Sequence, residues 1–240
     1  MKRAIIIGAS SGIGLEISKL LLADGWHIGV AARRQDRLEQ LRTINPSRID
    51  IEKIDVTTTD APQKTKELID RIGGINLFVY VSGIGHQNRQ LDINTETDTL
   101  NTNALGFTRV IDTVFNYMAT NCGGHITVIS SIAGTKGLGS APSYSATKAF
   151  QNTYIQSLEQ LANMRHLHIN FTDIRPGFVN TDLLNDGNHY PLMMKKDKVA
   201  KEIVRAIYKK KHVWVIDWRW RIITFFWQLI PRIVWRRMNV

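Results

Sequence analysis

The amino terminus carries the feature that most restricts how this chain can fold. A short apolar run, Ala4–Ile7, leads directly into the glycine-rich segment Gly8–Gly14. Apolar side chains then recur at the spacing of a helix, at Ile13, Ile17, Leu20 and Leu21. A glycine-rich turn between a strand and a helix lets the backbone approach a pyrophosphate, whose charge suits the helix N-terminus. The segment therefore predicts a nucleotide-binding βα unit, with the glycine spacing G-x-x-x-G-x-G in place of G-x-G-x-x-G.

Strands and helices alternate along the chain, which is typical of a parallel sheet covered by helices on both faces. The predicted strands are 3–8, 27–32, 49–54, 75–81, 124–130, 167–173 and 213–216. The predicted helices are 13–24, 35–43, 60–72, 96–120, 143–163 and 198–211. Right-handed crossovers then give a three-layer, doubly wound α/β fold of the Rossmann type, with strand order 3-2-1-4-5-6 plus a seventh strand. Ligands of such folds bind at the carboxyl edge of the sheet, where the sequence places Gly8, Ala32, Asp55, Gly83, Ser131 and Pro176.

A second pattern lies further along the chain, where Tyr144 and Lys148 are four residues apart and so share one face of a helix. A free phenol titrates near pH ~10, and a nearby ammonium favours the phenolate and lowers that pKa. Ser131 ends the predicted strand 124–130, where its hydroxyl could hold a substrate oxygen. A surface tyrosine and lysine near a helix terminus is the alternative interpretation of this spacing taken alone.

Together these segments resemble the short-chain dehydrogenase/reductase family in its compact, single-domain form, from residue 2 to about residue 216. Gly8–Gly14 is similar to the family's cofactor loop, and Asp55 with Val56 is similar to the pair that holds the adenine ring. Asn103 resembles the family's active-site asparagine, and Ser131, Tyr144 and Lys148 complete the tetrad. The run Pro176–Thr181 resembles the segment that contacts the nicotinamide carboxamide.

The resemblance implies an oxidoreductase that reduces a carbonyl group, or oxidises the matching secondary alcohol, on a small-molecule substrate. Tyr144 would exchange the proton, Lys148 would lower the pKa of Tyr144 and bind the nicotinamide ribose, and Ser131 would orient the substrate oxygen. Asn103 would hold a water that relays protons to Lys148. The implied cofactor-binding residues are Gly8, Ser10, Ser11, Gly12, Ile13, Gly14, Arg33, Arg34, Asp55, Val56, Gly83, Tyr144, Lys148, Pro176, Gly177, Val179 and Thr181.

An intact tetrad argues against the main alternative, a non-catalytic NADP-binding regulator or scaffold, because a sensor needs no proton donor. The resemblance also implies a homo-oligomer, either a dimer or a tetramer. One segment departs from the family, which has Asn-Asn-Ala-Gly where this chain has Tyr80-Val81-Ser82-Gly83. The missing asparagine predicts a local change in the hydrogen bonds of the central sheet rather than in the chemistry.

The end of the second predicted strand indicates which cofactor is preferred. Enzymes that prefer NAD place an acidic residue there to bond the ribose 2′-hydroxyl, whereas this chain has Arg33 and Arg34. Guanidinium groups bind phosphates through charge-assisted, often bidentate hydrogen bonds, and Ser10 could add a donor. The sequence therefore favours NADP(H), and a solvated basic turn before the helix 35–43 is the alternative.

Two segments, 83–95 and 182–196, are the predicted walls of the substrate site because they leave the sheet beside the expected nicotinamide. The second is long and of mixed polarity, as in a closing lid. His86 and His189 are candidates for substrate contact, although a lone loop histidine is more often solvated. The sequence does not name the substrate.

Composition narrows the class of protein. The net charge is +10, but residues 1–194 hold 18 basic and 18 acidic residues, so all of the excess lies in 195–240 with 13 and 3. The catalytic region is thus balanced, and we expect no nucleic-acid partner. A single cysteine, Cys122, excludes an internal disulfide and fits a reducing cytoplasm. No pair of His or Cys residues has the spacing of metal ligands on a helix. The opening apolar run is too short for a signal peptide.

The carboxyl-terminal residues differ from the rest in composition. We expect residues 1–217 to form one catalytic domain and 218–240 to form an extension rich in Trp and Arg. Five of the six tryptophans lie beyond residue 213, apolar residues recur there at helical spacing, and Pro231 predicts a break. Two interpretations remain open: an amphipathic helix in a membrane interface, or a helix packed over the substrate pocket or into a subunit contact.

Overall fold

The computed structural model describes residues 1–184, 187 and 190–239. The main sheet contains β1 (Arg3–Ile7), β2 (His27–Ala32), β3 (Ile49–Lys53), β4 (Leu77–Tyr80), β5 (Gly124–Ile129), β6 (Ile169–Arg175) and β9 (Val213–Val215). The helices are α1 (Gly12–Ala23), α2 (Gln35–Arg42), α3 (Ala61–Arg71), α4 (Ile93–Leu100), α5 (Phe107–Thr120), α6 (Pro142–Met164), α7 (Lys196–Tyr208), α8 (Trp218–Leu229) and α9 (Arg232–Trp235). Each predicted strand is present within a few residues, and so is each predicted helix except 96–120.

The seven strands pair in the order β3-β2-β1-β4-β5-β6-β9, and every neighbouring pair is parallel. This confirms the predicted Rossmann-type order with its seventh strand. Because successive side chains of a strand point to opposite faces, β1 supplies both halves of the core. Ala4 and Ile6 pack on one side of the sheet and Ile5 and Ile7 on the other, and all four are fully buried.

The predicted helix 96–120 is divided in the structure. It begins earlier, at Ile93, because the Asp92 carboxylate caps it by accepting a 2.9 Å hydrogen bond from the Thr95 amide. A π-helical segment, Asn101–Gly106, then separates α4 from α5. One extra residue per turn alters which side chains face the sheet, and such segments are often found at functional sites. Residue periodicity does not reveal this insertion.

Two short strands were not predicted from the sequence. β7 (Val179–Asn180) and β8 (Met194–Lys195) form a separate two-stranded parallel ladder beyond the end of β6. Each has only two residues, which is too short for an alternating pattern to be read. The pairing is therefore a product of the tertiary structure, and it holds both ends of the predicted lid segment 182–196.

The carboxyl-terminal helices pack against the sheet domain. Helix α8 ends just before Pro231, as predicted, and α9 begins immediately after this proline. Trp220 is only 3% exposed and belongs to the same core cluster as Ile6 and Ile174. Its ring meets Phe178 edge-on at 5.6 Å between centroids. Within the described ranges, no helix is both long and apolar enough to cross a bilayer.

Trp220 therefore anchors α8, and Trp220→Ala should lower the free energy of unfolding by about 3–5 kcal/mol, the usual cost of removing a large buried aromatic ring. Trp218→Ala is the matched control, because Trp218 lies on the same helix but is 66% exposed. We expect it to change stability by no more than about 0.5 kcal/mol. Urea unfolding of both variants measures the difference, and similar losses would show that α8 is not anchored through Trp220.

Candidate active site

The glycine-rich loop after β1 leaves no room for a side chain at Gly8 or Gly14. A Cβ on Gly8 would lie 2.7 Å from the Ser82 amide nitrogen, and Gly8 has a positive φ of 93°. A Cβ on Gly14 would lie 2.3 Å from the Gly8 carbonyl oxygen, so α1 can approach the loop only with glycine at this position. This close approach is what a pyrophosphate cradle requires.

The N-terminus of α1 lies at the end of this loop. The cap residue, Ser11, makes no side-chain cap hydrogen bond, and the first turn contains no acidic residue. Gly12, the first residue of the helix, has a φ of 56°, and a Cβ here would approach the Thr181 methyl group at 3.3 Å. The first backbone N–H groups of α1 are thus left for an anion, and the helix dipole favours a negative charge there.

Arg34 lies over the glycine loop. Its Nη2 donates to the Ser11 hydroxyl at 2.6 Å and to the Ser10 hydroxyl at 3.2 Å. A longer ion pair, 3.5 Å, joins Arg34 to Asp182 at the start of the predicted lid. Arg33 is exposed at the same strand end. The two arginines and Ser10 form a basic, donor-rich corner, as a ribose 2′-phosphate would require.

Asp55 and Val56 follow β3 at the same edge of the sheet. The Asp55 carboxylate accepts hydrogen bonds from the Thr57 amide at 3.0 Å and from the Thr57 hydroxyl at 2.8 Å, which fixes the turn. Val56 is buried, and its carbonyl oxygen would be 2.6 Å from a Cβ on Gly106. The π-helical segment therefore packs directly against the proposed adenine-binding turn.

The departure at Tyr80–Gly83 is accommodated by the backbone. The amides of Val81 and Ser82 both donate to the Ile7 carbonyl, at 2.8 and 3.1 Å. The central sheet thus stays connected between β1 and the end of β4 without the family's asparagine. Tyr80 is fully buried and meets Phe107 edge-on at 5.2 Å, and removal from solvent raises the pKa of its phenol.

Ser131, Tyr144 and Lys148 meet at the end of β5. The Ser131 hydroxyl accepts from the Ala133 amide at 3.1 Å, which holds the side chain in a short 3₁₀ turn. Lys148 Nζ lies 5.9 Å from the centre of the Tyr144 ring. Lys148 itself is 4% exposed and donates to the Ile129 carbonyl at 3.1 Å. The tetrad members predicted from sequence are therefore neighbours in space.

Asn103 joins this group through the π-helical segment. Its side-chain oxygen accepts from the Ile84 amide at 2.9 Å, and its Nδ2 donates to the Ile84 carbonyl at 2.6 Å. The same Nδ2 donates to the Thr147 hydroxyl at 3.2 Å. Asn103 is fully buried, so it fixes the loop after β4 against helix α6.

A glutamine that the sequence analysis did not single out links two members of the tetrad. Gln151 is fully buried, and its Oε1 accepts from Lys148 Nζ at 2.9 Å while its Nε2 donates to the Asn103 carbonyl at 2.8 Å. These are the two groups that the family resemblance predicts to be joined by a water. Tyr144, Lys148 and Gln151 follow the i, i+4, i+7 spacing of one helix face, which could have identified it.

The loop after β4 touches the tetrad through glycines. A Cβ on Gly83 would lie 3.2 Å from Asn103 Oδ1 and 3.6 Å from Lys148 Nζ. A Cβ on Gly85 would lie 2.4 Å from the Tyr144 ring, so this second glycine, which sequence analysis missed, is required for the position of the phenol. The loop thus packs closely over the phenol and the ammonium.

The titration behaviour of the pair differs from the prediction. The sequence predicts that Lys148 lowers the pKa of Tyr144, whereas in the structure removal from solvent raises that pKa and the Ser131 hydroxyl opposes the rise. Burial also lowers the pKa of Lys148 to about 8, with Asp173 acting in the opposite direction. For both groups the loss of solvent is the largest cause of the pKa shift, because they are buried in a closely packed site.

The run after β6 closes the other side of the site. The Pro176 carbonyl accepts from the Ile132 amide at 3.1 Å, which ties this run to the Ser131 turn. A Cβ on Gly177 would lie 2.2 Å from Trp220 Nε1, so α8 approaches the backbone here. Val179 belongs to β7, and the Thr181 hydroxyl donates to the Val179 carbonyl at 3.3 Å.

The two predicted substrate walls touch each other. Gln87 Nε2, in the wall 83–95, donates to the Tyr190 hydroxyl at 3.4 Å, and Tyr190 lies in the wall 182–196. His86 is exposed in the first wall. His189, the other candidate for substrate contact, lies outside the described residues.

Comparison with known proteins agrees with this geometry. The sequence matches the short chain dehydrogenase family model over residues 2–190. An uncharacterized oxidoreductase of Myxococcus xanthus is 27% identical, with 96% of this chain and 93% of that protein covered. A short-chain type dehydrogenase/reductase from Mycobacterium ulcerans superposes with a TM-score of 0.81 at 19% identity, covering 99% of this chain and 98% of that one.

A second similar structure is an alcohol dehydrogenase from the archaeon Thermococcus sibiricus, complexed with 5-hydroxy-NADP. Its TM-score is 0.75 at 25% identity, with 90% of this chain and 95% of that chain covered. The protein described here therefore belongs to the short-chain dehydrogenase family. It is an oxidoreductase that acts on CH–OH or C=O groups with a nicotinamide cofactor.

The buried contacts of Lys148 predict a pH dependence. Because its pKa is about 8, we expect kcat/KM for carbonyl reduction to fall as the pH rises through this value and the ammonium is lost. Gln151→Leu removes one acceptor of the ammonium. A hydrogen bond to a charged group is worth about 1.5–3 kcal/mol. The pH at which kcat/KM begins to fall should therefore decrease by about 1–2 pH units in this variant.

Gln156→Leu is the control for this experiment, because Gln156 is exposed on the same helix. Its pH profile should match that of the unmodified protein. If kcat/KM falls at the same pH in Gln151→Leu as in the unmodified protein, Gln151 does not stabilise the charged state of Lys148.

Proposed function

We propose that this protein is an NADP(H)-dependent reductase of a small carbonyl compound, and that it also oxidises the matching secondary alcohol. The observation that carries the proposal is the convergence of Ser131, Tyr144 and Lys148 beneath the glycine loop Gly83–Gly85. The catalytic residues in this proposal are Asn103, Ser131, Tyr144 and Lys148.

The site residues fit a dinucleotide with a 2′-phosphate. The uncapped N-terminus of α1 and the Gly8–Gly14 cradle suit a pyrophosphate, and Asp55 with Val56 forms the turn proposed for the adenine. Arg33, Arg34 and Ser10 would hold the 2′-phosphate. The hydrogen bonds from Arg34 to the hydroxyls of the glycine loop place its guanidinium beside that loop. The archaeal relative complexed with an NADP derivative supports the same choice.

In the proposed mechanism, bound NADPH would supply the hydride for the carbonyl carbon. Tyr144, whose phenol is protonated at neutral pH, donates the proton to the carbonyl oxygen. The Ser131 hydroxyl orients the same oxygen, and the nearby Lys148 ammonium stabilises the phenolate that remains. Gln151 and Asn103 hold Lys148 and the loop after β4 in place.

The function is tested by following NADPH oxidation against a panel of aldehydes and ketones. Tyr144→Phe removes only the hydroxyl, so NADPH binding should be nearly unchanged while kcat falls by at least about 100-fold, the lower range for general acid catalysis. NADPH binding and turnover are measured on the same preparation. A variant that retains more than about a tenth of the turnover would contradict the role of Tyr144.

The cofactor preference is tested with the double variant Arg33→Ala and Arg34→Ala. Loss of charge-assisted hydrogen bonds should weaken NADPH binding on the order of 10- to 150-fold and leave NADH binding nearly unchanged. Arg37→Ala is the matched control, because Arg37 is an exposed arginine on the neighbouring helix α2. Equal losses for NADPH and NADH in the double variant would exclude recognition of the 2′-phosphate by these arginines.

A further inference from the structure

Helix α8 has two apolar stripes, and the sheet domain covers only one of them. The covered stripe contains Trp220, Ile223, Thr224 and Trp227, which follow the i, i+3, i+4, i+7 spacing of one helix face. Trp220 and Thr224 are buried, and Ile223 and Trp227 pack against the same core cluster. This stripe accounts for the attachment of α8 to the domain.

The second stripe faces away from the domain. It consists of Trp218, Ile222, Phe225, Phe226 and Leu229 on α8, continued by Ile233 on α9, and we call it the tail face. These side chains are between 48% and 66% exposed. A helix that is apolar on all sides is normally enclosed, and a contiguous apolar patch on a protein surface marks an interaction site.

Charge beside the tail face is of one sign. Beyond Asp217 the sequence contains no acidic residue. The acids closest in sequence are already paired within the chain, Asp217 with Arg219 at 2.7 Å and Glu202 with Arg221 at 3.1 Å.

The positive charges that remain beyond Asp217 belong to three arginines on α9 and directly after it, Arg232, Arg236 and Arg237. All three are exposed, and none has an ion-pair partner within the described part of the chain. Arg89, from another part of the chain, joins Arg236 in lining a cavity of about 440 Å³ beside α9. Among the described residues beyond Asp217, the charge without an ion-pair partner is therefore wholly basic.

This charge distribution distinguishes between two possible partners of the tail face, a second copy of the chain and a lipid surface. In a two-fold contact between copies of this chain, each patch would meet itself, so the arginine clusters would approach each other and repel. An anionic lipid surface instead offers negative charge around an apolar interior. Tryptophan and arginine both suit that boundary, because each combines an apolar body with a polar end.

The firm attachment of the tail makes the face rigid. Trp227 and Trp235 pack edge-on at 5.6 Å, the Trp235 indole donates to the Gly137 carbonyl at 2.8 Å, and Lys136 Nζ donates to the Ile230 carbonyl at 2.9 Å. Helix α8 has 12 residues and is therefore about 18 Å long, which suits an orientation in the plane of the interface.

We propose that the tail face binds the surface of an anionic membrane. The apolar side chains of α8 and Ile233 insert at the boundary between headgroups and acyl chains, and Arg232, Arg236 and Arg237 contact the headgroup phosphates. Trp220 and Trp227 stay in the protein core, so the sheet domain rests on the membrane without any spanning segment.

Flotation of the full chain with vesicles tests this proposal. One set of vesicles is phosphatidylcholine alone, and the other is phosphatidylcholine mixed with phosphatidylglycerol. We expect binding to the mixed vesicles that decreases as salt is added. The triple variant Arg232→Gln, Arg236→Gln and Arg237→Gln should bind them on the order of 100-fold more weakly. Phe225→Ser with Phe226→Ser should weaken binding by at least about tenfold.

The charge control is the triple variant Arg48→Gln, Lys53→Gln and Lys66→Gln. It removes the same charge from exposed residues near β3, at the opposite edge of the sheet from β9, and it should bind as the unmodified protein does. Melting temperatures check that every variant remains folded.

Three results would overturn the proposal. The first is equal binding to both kinds of vesicle, and the second is binding to neither. The third is equal weakening of binding in the two triple variants, which would show that net charge alone is responsible. Sedimentation of the Phe225→Ser, Phe226→Ser variant tests the alternative partner, a second copy of the chain. If the unmodified protein does not bind vesicles but forms an oligomer that this variant loses, the tail face is an interface between two copies.

Discussion

Parallel pairing of β1, β4, β5 and β6 is the constraint on which the site depends. Parallel strands end at one edge, so the residues that follow each strand are brought together regardless of their separation along the chain. The glycine loop follows β1, Gly83 follows β4, Ser131 follows β5 and Pro176 follows β6. The backbone, rather than any single side chain, thus assembles both the nucleotide cradle and the tetrad.

Close packing at that edge determines the chemistry that follows. Glycine at positions 83 and 85 lets the loop lie against Asn103, Lys148 and Tyr144 without space for a side chain. Close packing excludes solvent from the phenol and the ammonium, and desolvation shifts both pKa values towards their neutral forms. A protonated tyrosine is the form that can donate to a carbonyl oxygen, and the negative charge of Asp173 opposes the fall in the pKa of Lys148.

The sequence left two interpretations of the carboxyl-terminal helices open, packing on protein and contact with a membrane. Trp220 packs into the core beside Gly177 and Phe178, so α8 contributes to the wall of the site. The opposite stripe stays exposed among unpaired arginines. Packing on protein and contact with a membrane are therefore compatible, since they use different sides of one helix.

The sequence by itself determined the strand order, the glycine cradle and the neighbourhood of Ser131, Tyr144 and Lys148, because periodicity and strand ends fix which residues share an edge or a face. It did not determine which neighbours meet that face. The contact of Gln151 with the Asn103 carbonyl, the π-helical segment Asn101–Gly106 and the β7–β8 pair all join parts of the chain through tertiary packing.

The pKa of Tyr144 likewise depends partly on the local sequence and partly on tertiary packing. Residue spacing placed the ammonium near the phenol and so predicted a lowered value, but the balance depends on how completely solvent is excluded. Likewise, the composition of residues 218–240 predicted an apolar, basic helix. Only the packing of Trp220 in the core shows which stripe of that helix the sheet domain covers. Local sequence specifies the faces of an element, whereas burial, and with it desolvation, is set by the neighbours that the whole fold supplies.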